Sequence, residues 1–215
     1  MQSRFTKEIA MFMKKLSPVL AALMLVLSIP AEAAGRPQQL ATLSSLEIQD
    51  LSFMREEEKL ARDVYLALYE QWGLTPFSNI SSSEQQHMDA VLQLLRKYRL
   101  PDPAANLVLG EFANQELQAL YNSLIEQGAR SDVDALQVGG IIEETDILDL
   151  QDALARNNNT DIDTVYDRLQ CGSRNHLRAF ADVLKAITGQ HYLAQVMAQQ
   201  DVDAILAAPR EKCGR

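Results

Sequence analysis

Residues 81–90 read SSSEQQHMDA, a run of serines followed by a glutamate and a histidine three positions apart. Residues i and i+3 of a helix share a face, so Glu84 and His87 can offer an oxygen and a nitrogen to the same small volume. Two readings compete for this stretch. Ser81 and Glu84 have the S-x-x-E spacing of a capping box, in which Glu84 would satisfy a backbone amide at a helix start. Alternatively, the pair is half of a metal site, which requires inward-facing partners elsewhere in the chain.

Outward from this stretch the pattern is helical. The segment from the serines to about Arg99 carries Val91, Leu94 and Tyr98 on the face of Glu84 and His87, with Pro101 as its stop. Before it, from about Ser52 to Trp72, Met54, Ala61, Tyr65, Leu68 and Trp72 recur at helical spacing, and Glu58 falls inside that stripe. Gly73 and Pro76 end this helix. The run REEEK at 55–59 also fits a solvated acidic first turn. After Pro101, the loose stretch PDPAANLVLGEF leads to a short pattern of Leu117, Leu120, Tyr121 and Leu124, capped by Asn114.

A third major helix is expected from near Ser131 to about Arg156, striped by Leu136, Ile147, Leu150 and Leu154. Stepping back four from Ile147 and from Leu150 places Glu143 and Asp146 on that stripe. Of the adjacent Glu143 and Glu144, only one is expected to face inward. The sequence NNNTD breaks this helix, and a fourth runs from about Asp161 to Thr188 with Leu169, Ser173, His176, Leu177, Phe180 and Leu184 on one side. Gly189 ends it. The sequence shows no strand alternation and no glycine-rich phosphate loop. The fold class is therefore all-α: a four-helix bundle with a long helical crossover over residues 51–190, a lead-in at 35–50 and a tail at 191–215.

The first 34 residues read as a signal peptide. Arg4, Lys7, Lys14 and Lys15 precede an apolar run from Leu16 to Ile29, and PAEAAG offers small residues for cleavage near Ala33 or Ala34. That run is short of the roughly 20 residues that a spanning helix requires and contains Pro18, so no stable membrane anchor is expected. Secretion or a periplasmic location follows from this reading. Two of the 29 acidic and four of the 20 basic residues precede Ala34, which leaves the rest of the chain with a net charge of −11. Such a chain repels phosphate backbones, and no nucleic-acid partner is expected. Cys171 and Cys213 would both reach an oxidising compartment, where they either pair or stay apart as a buried thiol and a free one.

The four helices share one anomaly: each places an ionisable group where periodicity calls for an apolar one. Burying an unpaired carboxylate costs several kcal/mol, so Glu58, Glu84 and Glu143 turned inward beside His87 and His176 need a cation or a complete hydrogen-bond network. A metal ion supplies that compensation most simply.

The segments MREEEKLARDVYLALYEQWG, SEQQHMDAV, GGIIEETDILDL and GSRNHLRAF carry a resemblance to the bacterial family called domain of unknown function 2202, of the ferritin-like superfamily. Glu58, Ala61, Arg62 and Tyr65 are also similar to the first helix of rubrerythrins. The resemblance implies a ferritin-like bundle with metal ligands Glu58, Glu84, His87, Glu143, Asp146 and His176. It departs at Ser173, where the superfamily's di-iron pattern has a glutamate one turn before the last histidine. A site weaker on the fourth-helix side, holding about one metal tightly, is expected from that exchange, by the count of ligands. No C-x-x-C pair exists for a rubredoxin-type iron.

These observations imply an exported metal-binding protein with iron or manganese, mononuclear or dinuclear, and an oxidase or peroxidase type of redox chemistry. Its partners would be the metal ion and a small oxidant such as dioxygen or peroxide, and a homo-oligomer is compatible with the bundle. The competing reading is a non-catalytic helical module of the cell envelope that keeps the fold for protein binding.

Overall fold

The computed structural model describes residues 42–214. The expected signal peptide, with its cleavage point, lies outside the described residues. The described chain is all-α: α1 (Ser45–Trp72), α2 (Thr75–Tyr98), α3 (Gln115–Gly128), α4 (Asp132–Arg156), α5 (Thr160–Thr188) and α6 (Gln199–Ala207). Among the described residues no helix is long and apolar enough to cross a membrane.

The helix ends follow local chemistry. α1 starts earlier than expected, inside the segment read as lead-in, because Ser44 and Glu47 form a reciprocal capping box. The Glu47 carboxylate also accepts from the Asn158 amide at 2.9 Å and from Asn159 Nδ2 at 2.7 Å. One residue thus caps α1 and holds the turn between α4 and α5. Gly73 closes α1 and Gly189 closes α5 in the left-handed conformation that glycine adopts without strain. α2 begins at Thr75 with Pro76 in its first turn, so Ser81 and Glu84 lie well inside the helix. The capping reading of Ser81 and Glu84 is thereby overturned: Ser81 Oγ donates instead to the Ser78 carbonyl at 2.9 Å.

α1 packs on α2, α4 on α5, α1 on α4 and α2 on α5, which closes a four-helix bundle. The connection from α2 to α4 runs back along α1. Arg55 holds Asp102, Lys59 holds the Val108 carbonyl, Glu56 accepts from the Ala113 and Asn114 amides, and Trp72 donates to the Gly128 carbonyl. The run REEEK is consequently buried along its whole length, contrary to a solvated first turn. Its side chains fasten the crossover on one side and enter the bundle on the other.

Two apolar layers bracket the middle of the bundle. One end is aliphatic, with Leu51, Met54, Val91, Leu95, Leu150 and Leu169. At the other, Tyr65, Phe77 and Phe180 pack with ring centroids 5.2–5.9 Å apart. Burying each such side chain contributes about 1.5–3 kcal/mol. Glu58 falls between Met54 and Tyr65 along α1, so the acidic middle is held by layers that do not depend on it.

Cys171 and Cys213 form a disulfide. It resolves the two readings left open by the sequence and pins the C-terminal segment to α5. The tail is packed rather than loose, since Tyr192 and Val202 are buried and Glu211 bonds Arg174 and Arg178.

Candidate metal centre

Four helices bring Glu58 (α1), Glu84 and His87 (α2), Glu143 (α4) and His176 (α5) into the space between the two layers. His87 Nδ1 lies 3.2 Å from Glu58 Oε2 and 2.7 Å from Glu84 Oε2. His176 Nδ1 lies 2.8 Å from Glu84 Oε1 and 3.4 Å from Glu143 Oε2. Glu58, Glu84 and His87 form one group that could hold a metal ion, and Glu84, Glu143 and His176 form another, each with its donor atoms within 4.8 Å of one another. Glu84 belongs to both. One of its oxygens faces each imidazole.

The donor atoms are spaced as a cation would require. Glu58 Oε1, Glu84 Oε1, Asp146 Oδ1 and His176 Nδ1 are buried without a hydrogen-bond partner, and the close approach of His176 Nδ1 to Glu84 is not aligned as a hydrogen bond. Ligands at roughly 2.1 Å from a divalent ion stand about 3 Å from one another when they meet at right angles. Glu84 Oε1 and His176 Nδ1, 2.8 Å apart and without a partner of their own, could be joined by a metal, as buried polar atoms otherwise find hydrogen-bond partners.

Without the metal, protons balance the charge. Burial pushes the Glu58 and Glu143 carboxyls up and the Asp146 carboxyl up to about 8, the last also under the charges of Glu143 and Glu84. Burial opposes ionisation of His176 as well, yet the charges of Glu84 and Glu143 outweigh it and raise the ring to about 10. His87 is raised in the same way by Glu58 and Glu84. For Glu84 the upward pull of burial is overcome by the two imidazoles, which hold it well below the usual carboxylate range.

A family model described as "Uncharacterized protein domain (DUF2202)" matches residues 47–209. The chain belongs to this family. It is 47% identical over 170 residues to "Uncharacterized protein MJ0754" of the archaeon Methanocaldococcus jannaschii, covering 79% of this chain and 91% of the relative. The crystal structure of that hypothetical protein superposes with a TM-score of 0.77 at 46% identity, covering 83% of this chain and all of the other.

In this DUF2202 protein the residues around the ligand groups fix their orientation. Tyr65 donates to Glu143 Oε1 at 2.6 Å. Ser83 Oγ lies 3.1 Å from His176 Nε2, which leaves Nδ1 as the nitrogen turned toward the carboxylates. Asp146 stands outside both groups, and its Oδ2 accepts from Ser173 Oγ. The fourth-helix position that lacks a glutamate therefore meets a carboxylate supplied by α4. Gly172 lies against the His87 ring: a Cβ there would come within 2.7 Å of Cε1 and Nε2.

The adjacent glutamates of α4 are both buried, at 1% and 0% exposure, which corrects the expectation that only one faces inward. They face different partners. Glu143 enters the centre, while Glu144 accepts from Tyr192 Oη at 2.6 Å and from the amides of Gln195, Val196 and Met197 beneath the tail. Sequence periodicity could not find this because the tail supplies a second interior. Ser83 and Gly172 were also missed. Only the small side chain at 172, amid larger ones on an inward face, signalled a close approach there.

Proposed function

We propose that this is an exported metalloprotein whose bundle would hold iron or manganese in the two residue groups that share Glu84, serving oxidation–reduction with dioxygen or a peroxide. The observation that carries this reading is that Glu84 turns one oxygen toward each imidazole. Glu58 and His87 would complete the ligands of one ion, and Glu143 and His176 those of the other. Asp146, held by Ser173, supplies a fourth carboxylate, so four negative charges face two divalent cations. Such a pair of ions, when bound, supplies reversible one-electron steps and an acceptor for small oxygen species.

The chain's own contribution is orientation and access. Tyr65 and Ser83 fix Glu143 and His176, and Ser173 fixes Asp146. The side chains of His87 and His176 are 12% and 11% exposed against 1–2% for Glu58, Glu84 and Glu143. Their rings stack at 5.6 Å, and as the more exposed members of the set they are the side from which a small oxidant would approach. The order of charged, apolar and small residues at the start of the chain supports export, and the disulfide suits an oxidising compartment.

Elemental analysis of protein purified without chelator tests the reading. Two equivalents of iron or manganese are expected, in place of the one that the exchange at Ser173 implies, because two groups share Glu84 and Asp146 stands at Ser173; Glu84→Ala together with His87→Ala should remove both while leaving helix content unchanged. Retention of the helical fold with no metal in the unaltered protein would favour the non-catalytic envelope module instead.

A further inference from the structure

We propose that the Cys171–Cys213 disulfide is a redox switch that sets how tightly the Glu84 centre holds metal, an inference that rests on metal binding at that centre. α5 presents two faces at this height. Gly172, Ser173 and His176 meet the centre: a Cβ on Gly172 would come within 2.7 Å of the His87 ring, Ser173 Oγ donates to Asp146, and His176 Nδ1 lies 2.8 Å from Glu84. Cys171, Arg174, Asn175 and Arg178 recur at helical spacing on the opposite face and hold the C-terminal strap. Arg174 Nη2 donates to the Glu211 carboxylate at 2.6 Å and Arg178 Nη2 to the same group at 3.0 Å. Asn175 Nδ2 donates to the Glu211 carbonyl at 3.1 Å and to Cys213 Sγ at 3.2 Å, and Asn175 Oδ1 accepts from the Glu211 amide at 3.0 Å.

The covalent bond is the one contact in this set that a change of redox state can break. Cys171 is buried in α5, whereas Cys213 is half-buried between the exposed Lys212 and Gly214, so an incoming thiol reaches Cys213 first. A dithiol reductant attacks Cys213 Sγ, forming a mixed disulfide as the protein's S–S bond breaks and Cys171 leaves to take up a proton. The reductant's second thiol then displaces Cys213 as a thiol, so two electrons and two protons pass to the protein and the reductant ends as a disulfide. The end of the strap is left to the contacts of Glu211, for which water competes, and the turn of α5 that carries Gly172 and Ser173 gains freedom. Gly172 seats His87 and Ser173 seats Asp146, so the donor set loosens on two sides. Coupling of this kind is reciprocal: metal that prefers the oxidised form makes the disulfide harder to reduce, by about 30 mV for a tenfold preference.

Equilibrium dialysis against Mn(II) compares the oxidised mature chain with Cys213→Ser, in which Cys171 stays a thiol. The variant should bind about 10-fold more weakly or worse, the scale on which a ligand's support acts. A glutathione buffer then titrates the disulfide of the unaltered protein with and without saturating Mn(II), and the metal should lower its potential by about 30 mV for each tenfold difference in affinity. A bridge that serves the fold alone would show no such shift. Failure of the oxidised chain to bind Mn(II) at all would dispose of the centre itself. Mn(II) bound equally by the two forms, or a potential indifferent to Mn(II), would overturn the switch and leave the centre standing. If Cys213→Ser does not fold, the potential decides together with circular dichroism of the reduced unaltered protein: helix lost in step with the bridge would overturn the switch, since the disulfide would then hold the fold and not the centre.

Discussion

Gly172 Cα lies so close to the His87 ring that one added methyl group would meet Cε1 and Nε2 at 2.7 Å. A proposed ligand on α2 is therefore positioned by the absence of a side chain on α5. Gly172→Ala should displace His87 and weaken metal binding by about 10–100-fold, the usual cost of disturbing a ligand's support. The metal-free protein should change less, since alanine favours a helix interior over glycine by about 1 kcal/mol and offsets part of the loss of His87 from Glu58 and Glu84. Calorimetric metal titration beside a thermal melt separates the two effects, and unchanged affinity would remove Gly172 from the account.

Tyr65→Phe deletes the hydroxyl that donates to Glu143 while keeping the ring against Phe77 and Phe180. Loss of a buried hydrogen bond to a carboxyl group should cost the metal-free fold about 1–3 kcal/mol. Denaturant unfolding measures it. A change within error would mean that Glu143 finds another partner.

The metal-free protein should lose stability as pH rises. The folded Asp146 carboxyl, at about 8, stands above its unfolded value of 3.8, so its contribution is full below 3.8 and is lost as pH rises through about 8. His176, raised from 6.5 to about 10, keeps its contribution below 6.5 and loses it as pH rises through about 10. Metal binding displaces these protons, so affinity should fall steadily on acidification. Melts across this range, with and without metal, should diverge as pH increases; parallel curves would count against a shared site for protons and metal.

Reduction of Cys171–Cys213 should destabilise the protein by roughly 4 kcal/mol on a chain-entropy basis, given a separation of 42 residues. Cys171→Ala with Cys213→Ala reads the same quantity without reductant. Unfolding midpoints equal to those of the oxidised protein would show that the contacts of Glu211 suffice to hold the tail.

The four long helices and the inward set Glu58, Glu84, His87, Glu143 and His176 were legible because each follows one helical stripe. Periodicity works where a helix has one buried face. It failed at REEEK and at Glu143–Glu144, where α1 is also covered by the crossover and α4 by the tail. The start of α2 was misplaced for a related reason: the serines at 81–83 look like a cap, but Pro76 had already begun the helix. The pairing of Cys171 with Cys213 needed three-dimensional proximity that spacing does not contain.

The neighbouring duties of Glu143 and Glu144 make the C-terminal segment a working part of the molecule. A chain cut after residue 190 would keep every proposed ligand and still strip Glu144 of four donors, opening α4 to water one residue from Glu143. The same cut would remove the disulfide that anchors α5 beside Gly172 and Ser173. Proteolytic trimming of this tail is thus expected to read out as lost metal before it reads out as lost helix.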